Sequence, residues 1–157
     1  MHAQPNLRSA RLRSPLLLVL WVLLTLEAVG GIVIFVARLA AGQTPGETLH
    51  VIAGVALTLV YAIYQWQHWN RISPFRARLY YSIGLLAALA MVATNVTGLI
   101  LGWAWWQVRF VLQSGSDVAY APLLSAVHNI GSMLVLTFVA GHVGAVLLRD
   151  WRLKSGG

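Results

Sequence analysis

Cysteine is absent from the 157-residue sequence. Its absence excludes disulfide bonds, iron–sulfur clusters held by thiolates, thiolate nucleophiles and covalent haem attachment through a Cys-x-x-Cys-His motif. Charged residues are also scarce, at 10% of the chain, and only four of them are acidic. Histidine is therefore the one strong metal ligand that the sequence offers to an apolar interior.

Apolar residues, in contrast, make up 59% of the chain, and the mean hydropathy is +0.73. A water-soluble domain does not hide so much apolar surface, and backbone groups in lipid must bond within their own segment, so we expect an all-α membrane protein. The sequence predicts one integral-membrane domain over residues 1–157, folded as an up-down-up-down four-helix bundle. Four apolar stretches define its helices: about residues 15–40, 46–70, 79–103 and 122–149.

Basic residues indicate the orientation of these helices. Nine of the 11 lysines and arginines lie in the N-terminal tail, the linker 71–78 or the C-terminal tail, and only Arg38 and Arg109 lie elsewhere. The positive-inside rule therefore predicts that both termini and the middle linker are cytoplasmic. We interpret the first 14 residues as a retained tail rather than a signal peptide. The net charge of +7 needs no nucleic-acid partner on this interpretation.

Four histidines fall within the predicted membrane helices. His128 and His142 are 14 residues apart on the fourth helix, which places them within about 40° of one another and about 21 Å apart along the axis. His50 and His68 are 18 residues apart on the second helix, close to five turns, and also share a face. Because the predicted topology makes these helices parallel, we expect His50 and His128 at an outer level and the other two at an inner level.

Two facing imidazoles at one level suit a haem iron, which is bound from its two sides. A closed zinc site prefers four ligands, and each level offers two histidines. The flat macrocycle of a haem needs room between helices, and small residues beside the histidines, among them Gly54 and Gly131, would provide it, so we expect these two glycines at the haem sites. The alternatives are histidines that only form hydrogen bonds between helices, and a pigment-binding membrane scaffold.

The chain resembles the dihaem membrane cytochromes b, haem-bearing subunits of respiratory oxidoreductases such as bacterial formate dehydrogenases and nickel–iron hydrogenases. The resemblance covers all four helices. It is carried by pairs of residues in helices 2, 3 and 4: His50 and Gly54, Thr97 and Gly98, His128 and His142.

That resemblance implies two b-type haems ligated by the four intramembrane histidines. It also implies transmembrane electron transfer between a redox partner and the quinone pool. The chain would then be a multi-pass subunit of a respiratory or photosynthetic complex in the bacterial inner membrane. It implies an electron-transfer subunit of an oxidoreductase, not a stand-alone enzyme. The alternative is a haem-binding structural or assembly subunit without a quinone site of its own.

The inner level departs from the regular spacing. Tyr64 stands 14 residues after His50, and His68 follows one turn later, about 6 Å deeper than His142 on straight helices. Neutral imidazole binds haem iron in either oxidation state, whereas tyrosinate favours ferric iron, so we favour His68. Ligation by Tyr64, or one haem in total, stays an open alternative.

Glu27 is the one acidic residue in the middle of a predicted helix. An ionised carboxylate is costly in lipid, so we expect this side chain to be protonated or paired. One interpretation makes Glu27 a proton relay or a quinone contact. The other makes it a neutral carboxyl group that forms a hydrogen bond to a neighbouring helix.

Overall fold

The computed structural model describes residues 14–70, 79–113 and 118–155, and the regular structure within them is helical, without strands. The predicted all-α class is confirmed. The predicted N-terminal tail and the basic linker 71–78 lie outside the described residues. Four α-helices and one short π-helix follow in order: α1 (Pro15–Ala41), α2 (Glu47–Trp69), α3 (Leu79–Trp106), the π-helix (Gln107–Val111) and α4 (Pro122–Ser155).

Proline and glycine set the ends of the first two helices. Pro15 opens α1, where its missing N–H costs no hydrogen bond. Gly42 ends α1 with φ 68°, and its N–H donates to the carbonyl of Arg38 at 3.0 Å. Gly46 precedes α2 with φ 76°. Both values lie in the left-handed region that glycine adopts most readily, so this short loop turns the chain back sharply.

Two helix ends differ from the prediction. The sequence predicts that the third helix ends near residue 103, before an aromatic segment at the membrane interface, but it continues to Trp106 and through the π-helix to Val111. The predicted end of the fourth helix is near residue 149, and the helix reaches Ser155. Neither extension contains proline or glycine, and aromatic and basic side chains are compatible with helix, so the backbone hydrogen bonding carries on.

The chain divides into two compact units, Met1–Ile72 and Ser73–Gly157. In the first unit α1 packs on α2, and in the second α3 packs on α4. We call them the first hairpin and the second hairpin. Contacts in each run in opposite directions along the two helices, as antiparallel packing requires.

Large apolar side chains are widely exposed on every helix. Leu18, Leu59, Leu89 and Leu123 are between 58% and 79% exposed. Within the described part of the chain, four helices are long and apolar enough to cross a membrane: Pro15–Ala41, Glu47–Trp69, Ser82–Val111 and Pro122–Leu148. This is the fold expected of a multi-pass membrane protein, whose apolar exterior faces lipid.

Candidate functional site

The first hairpin brings a carboxyl group against a histidine. Nδ1 of His50, on α2, lies 3.1 Å from Oε2 of Glu27, on α1. The side chains are 24% and 13% exposed. The approach is within ion-pair distance without the alignment of a hydrogen bond, and the second carboxyl oxygen, Oε1, is buried without a hydrogen-bond partner among the described residues. Glu27 is thus paired with the neighbouring helix.

Glycines make room for this pair. A Cβ on Gly31 would lie 3.4 Å from Cε1 of His50, and one on Gly30 would lie 3.7 Å from Nδ1. The imidazole therefore rests edge-on against the backbone of α1. A Cβ on Gly54 would lie 3.2 Å from Oε2 of Glu27. Gly54, one turn after the histidine, leaves the space that the carboxyl group occupies.

The second hairpin holds His128 through the backbone of α3. Nδ1 of His128 lies 3.1 Å from the carbonyl oxygen of Thr94 and 3.2 Å from the hydroxyl of Thr97. That hydroxyl also donates to the carbonyl of Ala93 at 2.9 Å. Because a carbonyl oxygen can only accept, the hydrogen bond to Thr94 places the proton on Nδ1. In the neutral imidazole, Nε2 then carries the lone pair.

Glycines of α3 receive two histidines of α4 in the same way. A Cβ on Gly98 would lie 3.0 Å from Cε1 and 3.4 Å from Nδ1 of His128. A Cβ on Gly84 would lie 2.9 Å from the same two atoms of His142. The two glycines are 14 residues apart, as the two histidines are. We call each arrangement, in which the Nδ1–Cε1 edge of a histidine rests on a glycine of the preceding helix, a glycine seat.

Gly54 and Gly131, which the sequence predicts to lie at the haem sites, face polar neighbours of the histidines. Gly54 faces Glu27, whose carboxyl group contacts His50. A Cβ on Gly131 would lie 2.7 Å from the hydroxyl oxygen of Thr94, the residue whose carbonyl group accepts from His128. Each glycine therefore makes room for a residue that contacts an imidazole, and its place beside a haem stays a prediction from the sequence.

His68 has different surroundings. Its ring stacks on that of Tyr64, one turn earlier in α2, with centroids 5.4 Å apart and planes 15° from parallel. It lies one residue before the end of its span at Trp69, whereas His142 lies six residues before the end of its span at Leu148. The glycine contacts place His50, His128 and His142 in seats, and the ring contact of His68 is with Tyr64.

These histidines could hold a haem iron. A histidine that ligates a metal through one ring nitrogen donates its other N–H to a carboxylate or carbonyl, the partners found beside Nδ1 of His50 and His128. No group of three or more histidine, aspartate or glutamate side chains gathers in the described residues. A haem iron would be held by no more than two histidines, so it would need no such group. The pairings of His50 with His128 and of His68 with His142 stay predictions from the sequence.

The sequence did not predict the glycine seats, the carbonyl group of Thr94 or the contact between Glu27 and His50. The first had a signal, since Gly84 and Gly98 repeat the spacing of the helix 4 histidines. The others depend on which faces of two helices meet, and no single-helix pattern gives that. Comparison with known proteins assigns no family: no family model, curated protein or solved structure matches the chain.

Proposed function

We propose that the chain is a membrane cytochrome b that binds two b-type haems through its intramembrane histidines. It transfers electrons between a redox partner and the quinone pool as a subunit of a respiratory or photosynthetic complex. The observation that carries the proposal is the glycine seat, which recurs at His50, His128 and His142.

A glycine seat prepares imidazole for iron rather than only filling space between helices. A histidine whose only role was a hydrogen bond between two helices could make that bond through either ring nitrogen. Here the Nδ1 edge faces the preceding helix in all three cases, and the partners of His50 and His128 are oxygens of α1 and α3. In His128 the Nδ1–H donated to the carbonyl of Thr94 leaves Nε2 as the basic nitrogen, which is the form that ligates a metal.

Haem, when bound, would supply reversible one-electron chemistry that no side chain of this cysteine-free chain offers. The protein's part is to hold the imidazole rings in one tautomer and to exclude water. The carbonyl of Thr94 does the first for His128, and the glycine seats limit rotation of the rings. Apolar residues of the four helices do the second.

The proposed orientation follows from the number of crossings and the position of the basic residues. Four crossings return the chain to its starting side, so both termini share a compartment. Nine of the 11 basic residues lie in the two tails and the middle linker, which the positive-inside rule assigns to the cytoplasm. The described helices agree in number and length with this topology. In a bacterium the membrane would be the cytoplasmic one.

Quinone is proposed as the mobile electron carrier because it dissolves in the bilayer that these exposed apolar helices require. A haem-binding structural subunit is the second candidate. It would share the seats and lack quinone reactivity, so reduction of bound haem by a quinol distinguishes the two candidates.

The test is a reduced-minus-oxidised absorption spectrum of the chain purified in detergent. We expect the bands of b-type haem. Asn129→Ala is the matched control for His128→Ala, because it changes the adjacent residue, and it should keep the spectrum of the wild-type protein. A wild-type protein without these bands would overturn haem binding. If a short-chain quinol failed to reduce bound haem, the structural subunit would be favoured instead.

A further inference from the structure

The two best-defined histidines differ in the chemistry of their Nδ1 partner. His128 faces a backbone carbonyl and a hydroxyl group, both neutral. His50 faces an oxygen of Glu27, a side chain that carries a full negative charge when ionised. This contrast belongs to the hairpins themselves, because each partner lies on the helix that precedes its histidine.

Ligation through Nε2 decides where the proton of His50 must lie. When Nε2 gives its lone pair to iron, the neutral ring keeps its proton on Nδ1. That proton then lies on the side of α1, where Oε2 of Glu27 is 3.1 Å from Nδ1. The carboxyl oxygen is then the acceptor.

We propose that Glu27 is a positioning residue that holds the Nδ1 proton of His50 and makes this imidazole a stronger electron donor to iron than His128. The inference rests on the proposed function, since it needs haem at His50. It replaces the role of quinone contact or proton relay that the sequence suggested for the same carboxyl group.

Three observations support a specific place for this carboxyl group. Glu27 lies within a membrane-spanning helix, where an acid is costly unless it is used. Gly54 leaves the space for it, since a Cβ at that position would lie only 3.2 Å from Oε2. Its side chain is 13% exposed, so little water competes for the proton of His50.

A more electron-rich ligand stabilises ferric iron more than ferrous iron. Glu27 should therefore lower the midpoint potential of the haem that His50 ligates and leave the second haem unchanged. Glu27→Gln keeps the size and an acceptor oxygen but removes the charge. We expect it to retain haem and to shift one midpoint potential to a more positive value.

The experiment is an optically monitored redox titration of the purified wild-type protein and of three variants. Glu27→Gln is the main variant, and Asp150→Asn is the matched control because it removes one acidic charge elsewhere. Gly54→Ala is the second test, because its methyl group would press on Oε2 and push the carboxyl group from His50. We expect a positive shift in Glu27→Gln, a smaller one in Gly54→Ala and none in the control.

Each outcome has a distinct meaning. Unchanged potentials in both Glu27→Gln and Gly54→Ala, with haem retained, would overturn the positioning role and leave haem binding intact. An unchanged titration with slower quinol-linked reduction in Glu27→Gln would assign Glu27 to the quinone instead. If Glu27→Gln failed to accumulate, Gly54→Ala against Gly144→Ala, where a Cβ meets nothing within 4 Å, would decide in the same way. A wild-type protein without haem would overturn the proposed function itself.

Discussion

The first and second hairpins use the same device with different means. The second seats two histidines against glycines of α3, and it holds His128 by a backbone carbonyl. The first seats one histidine, His50, and pairs it with the side chain of Glu27. A substitution at Thr94 keeps its backbone carbonyl group, whereas a substitution at Glu27 removes the carboxyl group. We infer that the acceptor beside His128 is fixed by the backbone, whereas the one beside His50 can be changed by substitution.

Helix geometry explains why only the second hairpin repeats its seat. Fourteen residues return a helix to within about 40° of the same face, so paired glycines on α3 meet paired histidines on α4. In the first hairpin the position 14 residues after His50 is Tyr64, and the position 14 before Gly31 is Leu17. A repeat of the seat would need histidine and glycine there. Once the register of the paired helices is known, the sequence explains why the first hairpin seats one histidine and the second seats two.

The largest effect should come from removing both seated histidines of the second hairpin. We expect the double variant His128→Ala, His142→Ala to lose nearly all haem while it still inserts in the membrane, because each proposed site loses a ligand. Haem per polypeptide, measured as the pyridine complex, is the readout. Haem content equal to wild type would show that the second hairpin supplies no ligand.

Filling the seats should have graded effects. Gly84→Ala places a methyl group 2.9 Å from the ring of His142, and Gly98→Ala places one 3.0 Å from that of His128. Gly31→Ala leaves an ordinary contact of 3.4 Å with His50. We expect haem occupancy to fall most in Gly84→Ala, slightly less in Gly98→Ala and least in Gly31→Ala. Gly144→Ala is the control with open space. Equal occupancy in all four variants would show that the seats do not position the rings.

Haem content should depend less on His68, the second histidine of the first hairpin, than on the seated histidines. His68 lies in the last turn of α2 and stacks on Tyr64, so its ring is held by a side chain of its own helix. We expect His68→Ala to lower the haem content by less than the double variant does and Tyr64→Phe, which keeps the stacked ring, to leave it unchanged. Haem loss confined to Tyr64→Phe would assign the ligand to the phenol.

The smallest effect should come from the hydroxyl group beside His128. Thr97→Val removes one contact at 3.2 Å and leaves the carbonyl of Thr94 at 3.1 Å to accept the Nδ1 proton. The free energy of haem binding should weaken by about 0.5–1.5 kcal/mol, the usual net contribution of one hydrogen bond. Haem-binding titration of the apoprotein measures it. A loss as large as that of His128→Ala would mean that the hydroxyl, not the carbonyl, fixes the ring.

Composition and the positions of proline and glycine were sufficient to predict the all-α class and the four helices. The apolar runs gave four helices, and Pro15 and Pro122 gave two of their starting positions to the residue. The ends of α3 and α4 were missed because no glycine or proline marks them, and hydropathy falls before the helix does. A backbone that can keep its hydrogen bonds continues past the apolar segment, which hydropathy cannot show.

The site was predictable only where its signal lies within one helix. Same-face histidines are visible in spacing alone, and so are His50 with Gly54 one turn later. The pairing of Glu27 with His50 depends on the antiparallel register of α1 and α2, and that register is set by the five-residue loop and by packing. The sequence correctly required a paired or protonated acid without saying which residue would pair with it.

The measurement that tests the central claim most directly is the ratio of haem b to polypeptide in the unmodified, purified protein. The three seated histidines together with His68, used as ligands, predict two haems per chain. A ratio of zero under conditions where the protein is folded and haem is supplied would contradict the claim that this chain is a cytochrome b.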